Sequence, residues 1–355
     1  MCFASAGRTR SDYVSQGRHL LSLAHRICIG ICIIPRLIVT VKKMSRKDGF
    51  LLNDSTPQQG FAEINGARLS YEVAGAGARA TNGSENAGTQ FPQAPAAVGA
   101  GQTVVLLHAG IADNHMWDDQ FAAFAQRYRV IRYDQRGFGQ STIPAEPFAF
   151  HEDLHALLRH LGVAQAALVG CSMGGMTAID MALAHPEMVT ALVLVGSGLS
   201  GYDWPAPDSE EAALFPQMEA AEAAGDLAAA SDLTERIWVA GPHRSPETVN
   251  PAVRERVRAM NLPNLARVDA FDQAQPQDLE PAASTRLAEI RAPTLVIVGD
   301  QDTSAIQAIA NRLAAEIPGA RKVVMPNTAH VPNMEQPEAF NQIVLDFLAA
   351  PHPPS

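Results

Sequence analysis

The spacing of apolar positions changes character along this chain. The stretch FAEINGARLSYEVAG alternates apolar and polar residues about Asn65-Gly66. An Asn-Gly pair between alternating runs is a strong short-range hairpin signal, because both residues tolerate positive φ. From Thr103 the alternation gives way to short apolar runs: TVVLLH (103–108), YRVIRYD (128–134), AALVGC (166–171), ALVLVG (191–196), TLVIVGD (294–300) and KVVMPN (322–327). Runs of this kind are expected of strands buried on both faces. Between them lie stretches with helical spacing, including DDQFAAFAQR, EDLHALLRHL, MTAIDMALAH and SAIQAIANRLAAEI, and PEAFNQIVLDFL ends the series. Strands that alternate with helices build a parallel sheet with helices on both sides. The pattern therefore predicts an α/β fold, doubly wound around a mostly parallel sheet.

Two intervals interrupt this rhythm. Residues 198–289 contain EEAALFPQMEAAEAAG, AAASDLTERIWVA and VRERVRAMNL but no convincing strand. They read as a helical insertion placed to cover the carboxyl ends of the sheet. Residues 75–102 are rich in Ala, Gly, Asn, Gln and Pro without any period, the mark of an exposed, mobile loop between strands. The expected organisation is a leader over 1–48, a core over 49–197 and 290–355, and a helical cap over 198–289.

Charge narrows the partners. The net charge of -10 argues against nucleic acid or an anionic membrane, both of which are bound through positive surface. The leader departs from this, with seven Lys or Arg and one acid in residues 1–43. Its apolar run ICIGICII, residues 27–34, is too short to span a bilayer. The leader fits a signal-peptide core or a transit peptide, and equally a start at Met44 or a segment outside the fold. The remainder reads as a cytoplasmic protein without stable membrane insertion, and a homodimer is left open. Of four cysteines, Cys2, Cys28 and Cys32 lie in the leader, leaving Cys171 alone in the main body, so no disulfide framework is expected. A Walker-type phosphate loop and a dinucleotide fingerprint are both missing, so no cofactor is expected.

The candidate chemistry centres on ALVGCSMGGMTA, residues 167–178. Gly170-Cys171-Ser172-Met173-Gly174 is a G-x-S-x-G between a buried strand and a helix. Such a turn is sharp enough to strain its central residue and lift it above the sheet. Glycines on either side prevent collision with the neighbouring strand or helix. The lifted residue is Ser172, while Cys171 belongs to the strand end and points into packing. A serine hydroxyl needs a histidine to take its proton and an acid to orient that histidine. His330 stands in the loop PNTAHVP between the last strand and the last helix. Asp302 in TLVIVGDQD is favoured over Asp300, which abuts the strand. The order Ser172, Asp302, His330 is the order of this motif's usual fold. An oxyanion hole needs two backbone N–H groups. Met173 supplies one, and the loop HAGIADNHMW supplies the other through Gly110, with Ile111 second.

From about Phe61 onward the chain resembles an α/β-hydrolase-fold protein: LLHAGIADNHMW, YDQRGFGQS, VGCSMGG, VGDQD and AHVPNMEQPEAF fall in that superfamily's order and spacings. Among its subgroups it is most similar to the serine esterase and lactonase branch, including the 3-oxoadipate enol-lactonase type. The resemblance implies Ser172, Asp302 and His330 as the triad and 198–289 as the cap. HAG replaces the more usual HG plus a variable residue, which bears on the second oxyanion donor.

Other signals take plainer readings. His151-Glu152-Asp153-Leu154-His155 matches H-E-x-x-H, but Leu161 stands where a third zinc ligand would follow and His160 points elsewhere. These residues read as an acidic first helical turn, and no metal is expected. His108 reads as a hydrogen-bonded structural residue, Asp134 and Arg136 as a pair shaping their loop, and Trp117 as core. Tyr202, Trp204, Phe215 and Trp238 are candidates for an apolar substrate pocket, or for holding the cap to the core. The function expected is hydrolysis of a small-molecule ester or lactone through an acyl-enzyme on Ser172. The alternatives are a ligand-binding protein with little turnover, a cofactor-free perhydrolase, or a carbon–carbon bond hydrolase.

Overall fold

The computed structural model describes residues 57–75 and 102–351; the leader and most of the 75–102 loop fall outside the described residues. β1 (Gln58–Ile64) and β2 (Ala67–Ala74) form the hairpin expected at Asn65-Gly66. Both turn residues have positive φ, 45° and 81°, which suits the twist of a two-residue hairpin. The remaining strands are β3 (Thr103–Leu107), β4 (Arg129–Tyr133), β5 (Ala166–Cys171), β6 (Val189–Val195), β7 (Thr294–Gly299) and β8 (Arg321–Met325). They make one sheet in the order β1-β2-β4-β3-β5-β6-β7-β8. Only the β1–β2 and β2–β4 pairings are antiparallel.

Alternate residues of the inner strands enter two separate cores, as burial on both faces requires. Val105, Leu107, Leu168, Leu192 and Leu194 pack on one side. Val104, Leu106, Val169, Val193 and Ile297 pack on the other. The helices covering the sheet are α1 (Asp118–Phe124), α2 (Phe150–His160) and α3 (Met173–Ala184). Between β6 and β7 come α4 (Glu211–Ala223), α5 (Leu227–Thr234), which runs into a π-helical turn over Glu235–Ala240, α6 (Pro251–Leu265) and α7 (Val268–Ala274). No strand of the sheet lies in this interval. After β7 follow α8 (Ser304–Glu316), α9 (Pro332–Glu335) and α10 (Pro337–Ala349). Several starts are capped as helix ends require: Asp226 accepts from Ala229 N–H, Asn250 from Ala252 N–H and Thr303 from Ile306 N–H.

β8 differs from its expected burial. As an edge strand bonded only to β7 it is largely exposed, and Val324 is 48% accessible. Among the described residues no helix is long and apolar enough to cross a membrane.

Candidate active site

Ser172 sits between β5 and α3 with φ 54° and ψ -114°. Positive φ in a non-glycine residue costs on the order of 1–3 kcal/mol and persists only where the surroundings enforce it. Here Ser172 N–H donates to Val195 O at 2.9 Å, and its carbonyl accepts from Gly198 N–H at 3.0 Å and Met176 N–H at 3.0 Å. The flanking glycines have no room for a side chain. A Cβ on Gly170 would lie 2.2 Å from Gly174 O, and one on Gly174 would lie 2.3 Å from Leu107 O. The side chain of Ser172 makes no capping bond to α3, so its hydroxyl is left for other work. Cys171 is fully buried, its Sγ 3.4 Å from His330 O, and burial pushes its thiol far up. A protonated, enclosed thiol is no nucleophile.

The loops after β7 and β8 bring acid and histidine together. His330 Nδ1 lies 2.9 Å from Asp302 Oδ2 and 3.2 Å from Oδ1, and both residues are 2% exposed. Thr303 N–H donates to Asp302 Oδ1 at 2.8 Å. A neutral ring that donates Nδ1–H to this carboxylate presents Nε2 as its acceptor nitrogen. Asp300 is exposed and accepts instead from Asn327 N–H at 2.7 Å. At Gly196, φ 46°, an added Cβ would lie 3.1 Å from both Asp302 Oδ2 and His330 Nδ1. Gly196 follows Val195, the residue bonded to Ser172, so the ends of β5, β6 and β7 converge with the His330 loop.

Two groups that hold this loop are not evident in the sequence. Glu335 accepts from Ala329 N–H at 2.7 Å, next to His330. Arg244, from the interval between β6 and β7, donates to Glu335 at 2.7 Å and to Asn327 O at 2.5 Å. Burial pushes the Glu335 carboxyl up, against the pull of the Ala329 amide and Arg244. His330 N–H donates to Trp238 O at 3.1 Å, and the Trp238 ring stands 4.6 Å from the imidazole.

The loop after β3 approaches the elbow: a Cβ on Gly110 would lie 3.9 Å from Met173 Sδ. Ala112 N–H donates to Ala109 O at 3.1 Å, and Asn264 Nδ2 from α6 donates to Ala112 O at 3.0 Å. His108 is buried between Ala109 O, 2.9 Å from Nδ1, and Gln135 N–H, 2.9 Å from Nε2. One nitrogen therefore donates and the other accepts, and burial lowers the ring's proton affinity. It is a structural residue, as expected. The expected Asp134–Arg136 pair is not formed. Asp134 instead accepts from Asn114 N–H, Asn114 Nδ2 and Gln140 N–H. Arg136 reaches across to α2 and makes a two-pronged pair with Asp153 at 2.7 and 2.9 Å. Both anchors are too distant in sequence to be read from the loop alone.

The four aromatics between β6 and β7 separate. Trp238 faces His330 and meets Phe215 edge-on at 5.9 Å. Tyr202 packs against the core, and Trp204 is 53% exposed. Trp117 is fully buried beside Phe340, as expected. Met173 borders an apolar group of Phe138, Phe148, Phe271 and Ile143. Two surface depressions, of about 360 and 230 Å³, lie elsewhere and are lined by none of Ser172, Asp302 and His330. Away from Ser172, Asp302 and His330, two clusters among the described residues have donor atoms close enough for a metal: Glu152, His155 and His185, and Asp208, Glu211 and His243.

A strained serine on a strand–helix turn, with a histidine tied to a buried acid on the loops after β8 and β7, is the arrangement of the α/β-hydrolase fold. The family model for that fold matches residues 102–337, and the chain belongs to this family and is a hydrolase. Across 271 residues it is 29% identical to the pimeloyl-[acyl-carrier protein] methyl ester esterase of Aeromonas hydrophila, spanning 70% of this chain and 96% of that one. It is 30% identical over 240 residues to 3-oxoadipate enol-lactonase 2 of Acinetobacter baylyi, spanning 64% of this chain and 82% of that one. The enol-lactonase structure from Burkholderia xenovorans superposes with a TM-score of 0.61 at 26% identity, covering 82% of this chain and all of that one.

Proposed function

We propose that the chain cleaves a small-molecule carboxylic ester or lactone through an acyl-enzyme on Ser172. The observation that carries this reading is the buried Asp302–His330 hydrogen bond of 2.9 Å, set among strand ends that also fix the strained Ser172. His330 Nε2 takes the proton of Ser172 as its oxygen attacks the carbonyl carbon. The amides of Met173 and Gly110 hold the charge that develops on the carbonyl oxygen. The imidazolium then protonates the leaving alkoxide, and Nε2 activates water to release the acid. Residues 198–289 serve as the cap, a role supported by the Trp238 ring against His330 and by the Arg244 contacts to the His330 loop. The apolar group beside Met173 supports an uncharged or weakly polar acyl portion.

The test needs no knowledge of the substrate. Wild type and Ser172→Ala are exposed to a fluorophosphonate probe and weighed intact. One adduct on wild type and none on the variant is the expected result, after which ester and lactone panels identify the leaving group. A well-folded wild type that takes no adduct overturns the reading.

A further inference from the structure

The H-E-x-x-H stretch lacks a third ligand in sequence, but the fold supplies one from another helix. His185 is the C-cap residue of α3, and it comes against the first turns of α2. Its Nε2 lies 3.0 Å from Glu152 Oε1, while His155 Nδ1 lies 3.6 Å from Glu152 Oε2. The His155 and His185 rings stack at 3.8 Å between centroids, 26° apart in plane. His151 completes the group, with its Nε2 3.6 Å from Glu152 Oε1. Three imidazoles thus surround one carboxylate, and donor atoms from Glu152, His155 and His185 lie within 4.8 Å of one another.

We propose that Glu152, His155 and His185 form a binding site for a divalent transition-metal ion that clamps α2 to the C-terminal end of α3. Two imidazoles and one carboxylate suit borderline ions such as Zn²⁺, Ni²⁺ or Co²⁺, and disfavour Mg²⁺ and Ca²⁺, which prefer oxygen donors. Donors about 2.0–2.2 Å from one ion sit closer together than they do here, and Glu152 and His155, on adjacent turns of one helix, close that gap by side-chain rotation. The side chains keep water access, being 48%, 22% and 19% exposed for Glu152, His155 and His185, so further coordination positions remain open to water. Burial opposes the charged Glu152 carboxylate, but His185, His151 and His155 together hold its proton affinity below the usual range. The negative pole at the end of α3 offsets the positive pole at the start of α2, where Glu152 stands. Helix α3 also presents Ser172 at its other end, about 18 Å away for 12 residues at 1.5 Å each. The clamp is therefore remote from the chemistry and steadies the helix that carries it.

The sequence pattern alone misassigns the ligands. His151 is buried and 6% exposed, and it lies beside the carboxylate as a neighbour; the second imidazole ligand comes from His185, 30 positions beyond His155.

The test is calorimetric titration of the chelator-treated full chain with ZnCl₂, repeated with Co²⁺ to read coordination from its visible spectrum. Wild type is expected to bind one equivalent saturably. His155→Gln and His185→Ala are each expected to weaken that event by at least about tenfold and to abolish the Co²⁺ spectrum, while His243→Ala, in the other cluster, leaves both unchanged. Glu152→Gln is isosteric and half-exposed, so it gives the same readout if a histidine variant fails to fold. Wild type without saturable zinc binding overturns the proposal. So does binding that survives His155→Gln and His185→Ala, or that is lost in His243→Ala.

Discussion

Replacing Asp302 by Asn tests the proposed chemistry through a single atom. Thr303 N–H donates to Asp302 Oδ1 at 2.8 Å, while Oδ2 faces His330 Nδ1 at 2.9 Å. An asparagine keeps its oxygen toward Thr303, so its N–H₂ group faces the imidazole. Nδ1 must then accept, the ring proton moves to Nε2, and the base that should activate Ser172 is blocked. Restoring the working tautomer would leave two donors opposed in a site 2% exposed. The loss of a charge-assisted hydrogen bond and the unsatisfied buried donor together cost about 3–5 kcal/mol, or about 10²–10⁴-fold in rate. Asp302→Ala removes the opposed donor and is expected to react no more slowly than Asp302→Asn. The assay is the second-order rate of fluorophosphonate labelling, read by intact mass, with circular dichroism as a check on folding. An Asp302→Asn protein that is folded and labels within about tenfold of wild type would refute the tautomer reasoning.

Three further outcomes follow from particular contacts. Gly174→Ala would place a Cβ 2.3 Å from Leu107 O, and overpacking of this kind costs about 3 kcal/mol. Thermal unfolding should drop by about 5 °C in a domain of this size, and an unchanged midpoint would show that the elbow can yield. Cys171→Ala should keep close to the wild-type labelling rate, and the Cys171 peptide should resist alkylation until the protein is unfolded; fast native alkylation would contradict its burial. Asp180 is raised to about 7, first by burial and then by the charge of Asp278, against the single Ser200 hydroxyl, which lies 2.7 and 2.9 Å from its two oxygens and donates one hydrogen bond. An unfolded Asp titrates near about 4, so between these values the native state holds the extra proton. Its stabilising contribution is complete below about pH 4 and is lost as pH rises through about 7, by up to about 4 kcal/mol. Urea unfolding at pH 5 and pH 8 should show a smaller difference in Asp180→Asn than in wild type, and an equal difference would sink the assignment.

What the sequence made legible was whatever depends on near neighbours. The hairpin at Asn65-Gly66, the buried runs of β3 to β7 and the glycines of the elbow are each set within a few residues. That Asp302 rather than Asp300 meets His330 was readable for the same reason. One residue abuts its strand and is drawn outward to Asn327, and the other lies a step farther into the loop, where His330 arrives. Illegible features depend on contacts that join distant segments. Arg136 looked like a partner for Asp134 because they are two positions apart, yet Asp153 lies across the fold and offers both carboxylate oxygens. Trp238 could not be told from three other aromatics, since only the π-helical turn brings its ring to His330.

The same distinction governs how the candidate site is held. The elbow is held by the adjoining strand ends, with Ser172 bonded to Val195 O and Gly198 N–H, and its tight approach leaves no room for a side chain at Gly170 or Gly174. The histidine loop depends on distant residues: Glu335 fixes Ala329, and Arg244 from between β6 and β7 fixes both Glu335 and Asn327. With Glu335 and Arg244 side chains 7% and 13% exposed, loss of either strands a buried charge, which is costly. In the proposed mechanism this couples the cap to the base: a shift of the segment carrying Arg244 is expected to move the loop carrying His330, because Arg244 bonds both Asn327 O and Glu335.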